Sequence, residues 1–311
     1  MSIRHRFQNA RLAGVLLLLS LLSACASAPH LRESTEQSLP RQSELSEVPF
    51  YAQTEYQCGP AALAMVLTHQ GVETDVETLI PQVFIPDREG SVQPEMLATV
   101  RRHERLAFPI RATFEALLKH LAAGDPVLVM QNLSLPAFPM WHYAVAIGYD
   151  LDEDTLTLRS GEIERHTLSF SRFDATWART DRWGVVVAKP GTLPEGITPR
   201  HAVNAISAYE ESHGPKATLS SWQAMVERFP DHAFARFALG NAYYADGQPD
   251  KARDAFKAAT QRDTDMGAAW LNLGLIHRQQ GNTDEAHKAL SKAASIEGSW
   301  QARAQSLLDE R

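Results

Sequence analysis

Cys58 and His142 are the two residues of this chain whose types could perform covalent chemistry together. A thiol becomes a nucleophile once a neighbouring imidazole can take its proton. Cys58 opens the run Cys58-Gly59-Pro60-Ala61-Ala62-Leu63-Ala64-Met65-Val66-Leu67. Pro60 suits a first helical turn, and the apolar residues behind it continue that helix, so the thiol is expected at a helix N-terminus. The unsatisfied N–H groups and the dipole there favour S⁻ over SH, which predicts a reactive thiolate. His142 opens a second apolar run, His142-Tyr143-Ala144-Val145-Ala146-Ile147-Gly148, with the character of a strand. Alone, a histidine beside Trp141 reads as a packing residue. Opposite a cysteine at a helix start, it completes the layout for proton transfer. An acyl reaction also needs donors for the developing oxyanion. Gln53, five residues before Cys58, can supply a side-chain amide beside the Cys58 N–H, and Gln57 is a nearer candidate. His103, His120 and His166 have no Cys or acid partners at ligand spacing, so neither a metal nor a cofactor is expected.

The elements that must position these residues fall into two groups. Helical spacing marks Cys58–Gln70, Gln93–Glu104 and Thr113–Ala123, after which Gly124-Asp125-Pro126 breaks the chain. From there the period is that of strands: Val127–Met130, His142–Tyr149, Thr155–Leu158, Arg165–Phe170 and Trp183–Ala188. Helices followed by an antiparallel run predict an α+β domain over residues 48–189.

The N-terminus predicts a compartment. Arg4, Arg6 and Arg11 precede an apolar stretch, Ala13–Leu22, too short for an ordinary membrane span. Residues 1–24 therefore read as a signal peptide. Its end, Leu22-Ser23-Ala24-Cys25, resembles the bacterial lipobox, which implies lipid on Cys25. Ala26 in place of Asp implies sorting to the outer membrane, facing the periplasm. Residues 25–47 are mostly polar and read as a flexible tether. A net charge of −7 without a basic stripe excludes nucleic acid as an expected partner.

The segments Val48-Pro49-Phe50-Tyr51-Ala52-Gln53, Cys58 to Met65 and His142 to Tyr149 together resemble the C39-type cysteine peptidases, which have a papain-like fold. That resemblance implies Cys58 as nucleophile, His142 as base and Gln53 as oxyanion donor. Members of the family usually carry an Asp near the end of the strand after the histidine strand, where it orients the imidazole. Here the corresponding stretch is Thr155-Leu156-Thr157-Leu158-Arg159-Ser160-Gly161, and Ser160 occupies that neighbourhood. Asp150, Asp152 and Asp154, in the preceding turn, are the alternatives.

The C-terminal third repeats itself. An offset of 34 residues aligns Leu239-Gly240 with Leu273-Gly274, Gly247 with Gly281, Ala252 with Ala286, Phe256 with Leu290 and Ala259 with Ala293. This is the tetratricopeptide period. Trp222, Met225 and Pro230 suggest a worn repeat before the two clear ones, and Ser291–Leu308 supplies the end of the second and a capping helix. An all-α tetratricopeptide-repeat domain is thus expected over 201–311, joined by a linker at 190–200 rich in Gly and Pro. The expected whole is a lipid-anchored cysteine peptidase whose repeats recruit a substrate or a protein partner. Its alternatives are a peptide-binding scaffold without catalysis and a papain-like acyl transferase.

Overall fold

The computed structural model describes residue 29 and residues 31–52, 57–88 and 90–310. Its N-terminal part is built on an antiparallel sheet of seven strands. In chain order these are β1 (Gln42–Glu44), β4 (Leu106–Pro109), β5 (Val127–Asn132), β6 (Trp141–Asp150), β7 (Thr155–Ser160), β8 (Ile163–Ser169) and β9 (Gly184–Ala188). The path across the sheet is β4-β9-β5-β6-β7-β8, and β1 continues the ladder along the C-terminal end of β6. A small hairpin, β2 (Phe84–Ile85) and β3 (Gly90–Ser91), lies apart. The helices of this part are α1 (Glu33–Ser38), α2 (Cys58–His69), α3 (Val76–Val83), α4 (Gln93–Arg102), α5 (Phe114–Ala122) and α6 (Phe170–Trp177).

Helix α2 is buried on every side from Gly59 to Leu67, as a helix without a polar face must be. It packs against β6, whose residues from Tyr143 to Tyr149 are also buried. The nucleophile candidate therefore begins the central helix, and the imidazole candidate sits near the start of the central strand. Around them lies a core that includes Leu63, Met65, Val145, Ile147, Phe173 and Trp177.

The all-helical part is α7 (Pro199–His213), α8 (Leu219–Arg228), α9 (Ala233–Ala245), α10 (Pro249–Arg262), α11 (Gly267–Gln279), α12 (Thr283–Ser295) and α13 (Gln301–Asp309). The repeat logic is visible in its packing. A Cβ at Gly240 would collide with the Phe256 ring, and one at Gly274 with Leu290, so the same close approach of paired helices recurs 34 residues later.

Two expectations about connectors are corrected. Residues 31–47 are docked on the domain and do not form a free tether. Arg32 pairs with Glu115, Arg41 with Asp152, Thr35 and Leu45 are buried, and β1 pairs with β6. Nor is 190–200 a free hinge. Ile197 is buried, the Gly191 N–H donates to Ser221 Oγ at 3.0 Å, and Arg228 Nη1 donates to the Pro194 carbonyl at 2.9 Å. Both segments look polar or turn-rich in sequence, yet a few apolar side chains and backbone partners suffice to hold them.

Candidate active site

The elements converge at one end of β6. Strand β7 pairs with β6 from Val145↔Arg159 to Asp150↔Thr155, leaving the backbone open at Tyr143. The Tyr143 N–H faces the Cys58 sulfur, together with the N–H groups of Gly59 and of Cys58 itself. This places the thiol beside the residue that follows His142. The side-chain phenol of Tyr143 is buried and raised well above its usual pKa, by desolvation first and by the nearby Cys58 second.

His142 and Ser160 meet because of register. Extending the Val145↔Arg159 pair by one step sets Ala144 opposite Ser160, so His142 shares that face and reaches it on the diagonal. His142 Nε2 and Ser160 Oγ are 2.8 Å apart. Gly161, at φ +62, begins the two-residue turn that stops β7 at Ser160. The neighbouring Arg159 is buried and fully engaged: Nε and Nη2 donate to the Val48 carbonyl at 3.1 and 3.0 Å, and Nη1 donates to the Glu164 carbonyl at 2.7 Å. It clamps the segment that leads toward Cys58.

The charge state differs from the expected thiolate. Burial pushes the Cys58 thiol above its ordinary value and outweighs the three N–H groups that pull it down. Burial also lowers His142 to about 4, with the charge of His166 adding to the effect. At neutral pH the pair therefore rests as thiol and neutral imidazole. The helix N-terminus does act on the sulfur, but desolvation is the larger effect. Among the described residues no hydrogen bond joins Cys58 to His142, and the ring is held by Ser160.

The other candidates separate clearly. Asp150 lies at the far end of β6 from His142. There it accepts from the Asp152 and Glu153 N–H groups at 2.8 and 3.1 Å, and Asp152 pairs with Arg41. Asp154 sits in the same turn, so none of these acids can orient His142. Gln53 belongs to residues 53–56 and Cys25 to residues 1–28, outside the described residues. The carbonyl of Gln57 accepts from the Ala61 N–H at 3.1 Å as α2 begins. Sequence reasoning missed Ser91, which lies so close to Gly59 that a Cβ there would collide with it. Only the third dimension brings β3 against the start of α2. Its one sequence signal is Gly59 itself, next to the thiol.

A cysteine thus heads a buried helix, beside a strand whose histidine is held by the following strand. Residues 45–184 match the Peptidase_C39 like family. The C39-like domain is followed by matches to the tetratricopeptide repeat at residues 205–266 and 237–303. Among solved structures, the domain is similar to a putative C39-like peptidase from Bacillus anthracis. The identity is 18%, over 48% of this chain and 98% of that one, with a TM-score of 0.41. A double glycine motif protease from an AMS/PCAT transporter, in complex with the leader peptide, is 20% identical over 46% of this chain and 91% of that one, with a TM-score of 0.36. For the helical part, the TPR2B domain of yeast Sti1 in a pHsp70 complex is 15% identical over 36% of this chain and 93% of that one, with a TM-score of 0.34. No curated protein matches the chain.

Outside the C39-like domain, the repeats carry a groove of ≈ 560 Å³ lined by Asn241, Tyr244, Phe256, Asn272, Leu275 and Gln279, among others. Asn272 Nδ2 donates to Asn241 Oδ1 at 2.9 Å across the facing helices α9 and α11.

Proposed function

We propose that this chain is a cysteine peptidase acting on a peptide or protein, anchored by lipid on Cys25 at the outer membrane and facing the periplasm. The observation that carries the reading is the imidazole of His142 fixed at 2.8 Å by Ser160, next to the backbone N–H that meets the Cys58 sulfur. With Nε2–H donating to Ser160, Nδ1 keeps the lone pair and is the nitrogen available to the thiol. In the proposed reaction Nδ1 takes the thiol proton as sulfur attacks the scissile carbonyl, so no thiolate need exist beforehand. The Cys58 N–H and the Gln53 amide hold the oxyanion. The imidazolium returns its proton to the leaving amine, which departs as the thioester forms. Water, deprotonated by His142, then attacks the thioester and frees the acid and the thiol. The repeats, of a kind associated with protein–protein contact, recruit substrate or partner along their groove.

A second reading is a peptide-binding scaffold without turnover, and one observation favours it: the third position is an uncharged Ser160, beside a His142 that is neutral at pH 7. A peptidyl electrophile probe separates the two. Catalysis predicts labelling at Cys58 that disappears in Cys58→Ala and slows by about 10²-fold or more in His142→Ala. Equal labelling with and without His142 would remove the base from the account.

A further inference from the structure

The β5–β6 connection presents an apolar surface that is largely exposed among the described residues. From Leu133 to Trp141 it reads Leu-Ser-Leu-Pro-Ala-Phe-Pro-Met-Trp, without a charge. Leu135 is 64% exposed, Phe138 77% and Met140 61%, and Leu133 and Trp141 are about half exposed. Soluble surfaces seldom gather so many large apolar side chains in one turn.

The turn is held by hydrogen bonds gathered at its base. The Leu133 N–H donates to the Met140 carbonyl at 2.9 Å and the Phe138 N–H to the Leu135 carbonyl at 3.0 Å. Asn132 Oδ1 accepts from the Ser134 and Met140 N–H groups at 3.1 and 3.0 Å. Arg179 Nη1 caps the Asn132 and Ser134 carbonyls at 3.1 and 2.7 Å. These bonds fix the base of the turn, so its large apolar side chains are carried on a set frame.

We infer that this loop is a membrane-docking element that inserts Leu135, Phe138 and Met140 into the bilayer surface, with Trp141 at its polar boundary. The choice of a bilayer rests on the reading of Cys25 as the lipid-bearing residue. Because the chain is docked from Leu31 onward, only six residues separate that lipid from the folded domain. Their full extension is about 20 Å. The domain is thereby kept close to the membrane surface, and its exposed apolar turn is the surface suited to enter the bilayer. Since Trp141 adjoins His142, docking would place the cleavage site at the membrane surface and favour substrates that emerge from it.

The test uses the full mature chain in the Cys58→Ala background, which leaves an introduced cysteine as the one reactive thiol if Cys25 is acylated. An environment-sensitive fluorophore is placed by Leu135→Cys or, independently, Phe138→Cys, with Asp265→Cys in the repeats as the reference. The protein is reconstituted in phosphatidylethanolamine–phosphatidylglycerol vesicles carrying a doxyl-lipid quencher, and intact mass reports acylation of Cys25. Severalfold stronger quenching at 135 and 138 than at 265 is the expected result. Acylated protein whose loop labels are quenched no more than the reference, including protein whose labels respond only to added apolar peptide, overturns the inference while leaving the anchor intact. An unacylated Cys25 overturns the anchor reading and the bilayer with it.

Discussion

Ser160 gives His142 a hydroxyl as its orienting partner where a carboxylate would bring charge, and that choice sets the protonation of the pair. A hydroxyl positions the ring but, able to donate as well as accept, does not set its tautomer, and it cannot stabilise an imidazolium, so burial dominates and the histidine stays neutral. Ser160→Asp is therefore expected to raise the His142 pKa and to speed carboxamidomethylation of Cys58 at pH 7 by about tenfold, one pKa unit's worth. Ser160→Ala should slow turnover while leaving alkylation nearly unchanged. An alkylation rate indifferent to Ser160→Asp would show that position 160 does not act through the imidazole. The same burial makes stability depend on pH. The folded pKa of about 4 lies below the ordinary value of 6.5, so the unfolded chain binds more protons in between. The contribution is fully present above pH 6.5 and is lost as pH falls toward 4, by about 3 kcal/mol. Urea unfolding across that window should show this rise in the native protein and a flatter profile in His142→Gln. Parallel profiles would remove His142 as the source.

Element by element, what the sequence could show depended on whether burial followed a period. Helix α2 and strand β6 were legible because each is a continuous apolar run opened by a chemical residue, and the 34-residue repeat was legible because its glycines and alanines mark where helices touch. Helix α6 was hidden. Phe170, Phe173 and Trp177 have helical spacing, but Phe170 directly follows β8, and the cap in which Ser169 Oγ accepts from the Arg172 N–H is visible only in the fold. Strand β1 is polar, Gln42-Ser43-Glu44, and exists because β6 offers it a ladder. Helix α3 carries Pro81 and spans only Val76–Val83, so its pattern was too short to read. The helical period also gives a sharp prediction. Gly240→Ala drives a methyl into the Phe256 ring between α9 and α10 and should destabilise the protein by about 1–3 kcal/mol in urea unfolding. A change near zero would mean that this helix pair tolerates a wider spacing than the structure shows.

Across the whole molecule, the C39-like domain and the repeats share a core. Leu106 and Phe108 of β4 and Ala188 of β9 are buried with Ile197, Ala202, Ile206 and Tyr209 and continue into Trp222 and Met225. A chain ending at Lys189 would uncover Leu106 and Phe108, each worth roughly 1.5–3 kcal/mol when fully buried. It is expected to unfold at lower temperature than the full chain and to label poorly at Cys58, although the sequence alone suggests a cut there. An unchanged melting temperature would mean that the two parts are independent. The central claim, that Cys58 is the nucleophile of a peptidase with His142 as its base, is tested most directly by mass-spectrometric profiling of new N-termini. The purified full-length protein is incubated with a library of peptides from a periplasmic proteome. The account predicts termini generated by the native protein, absent with Cys58→Ala and strongly reduced with His142→Ala. No new termini from folded native protein, or the same termini from Cys58→Ala, would contradict it.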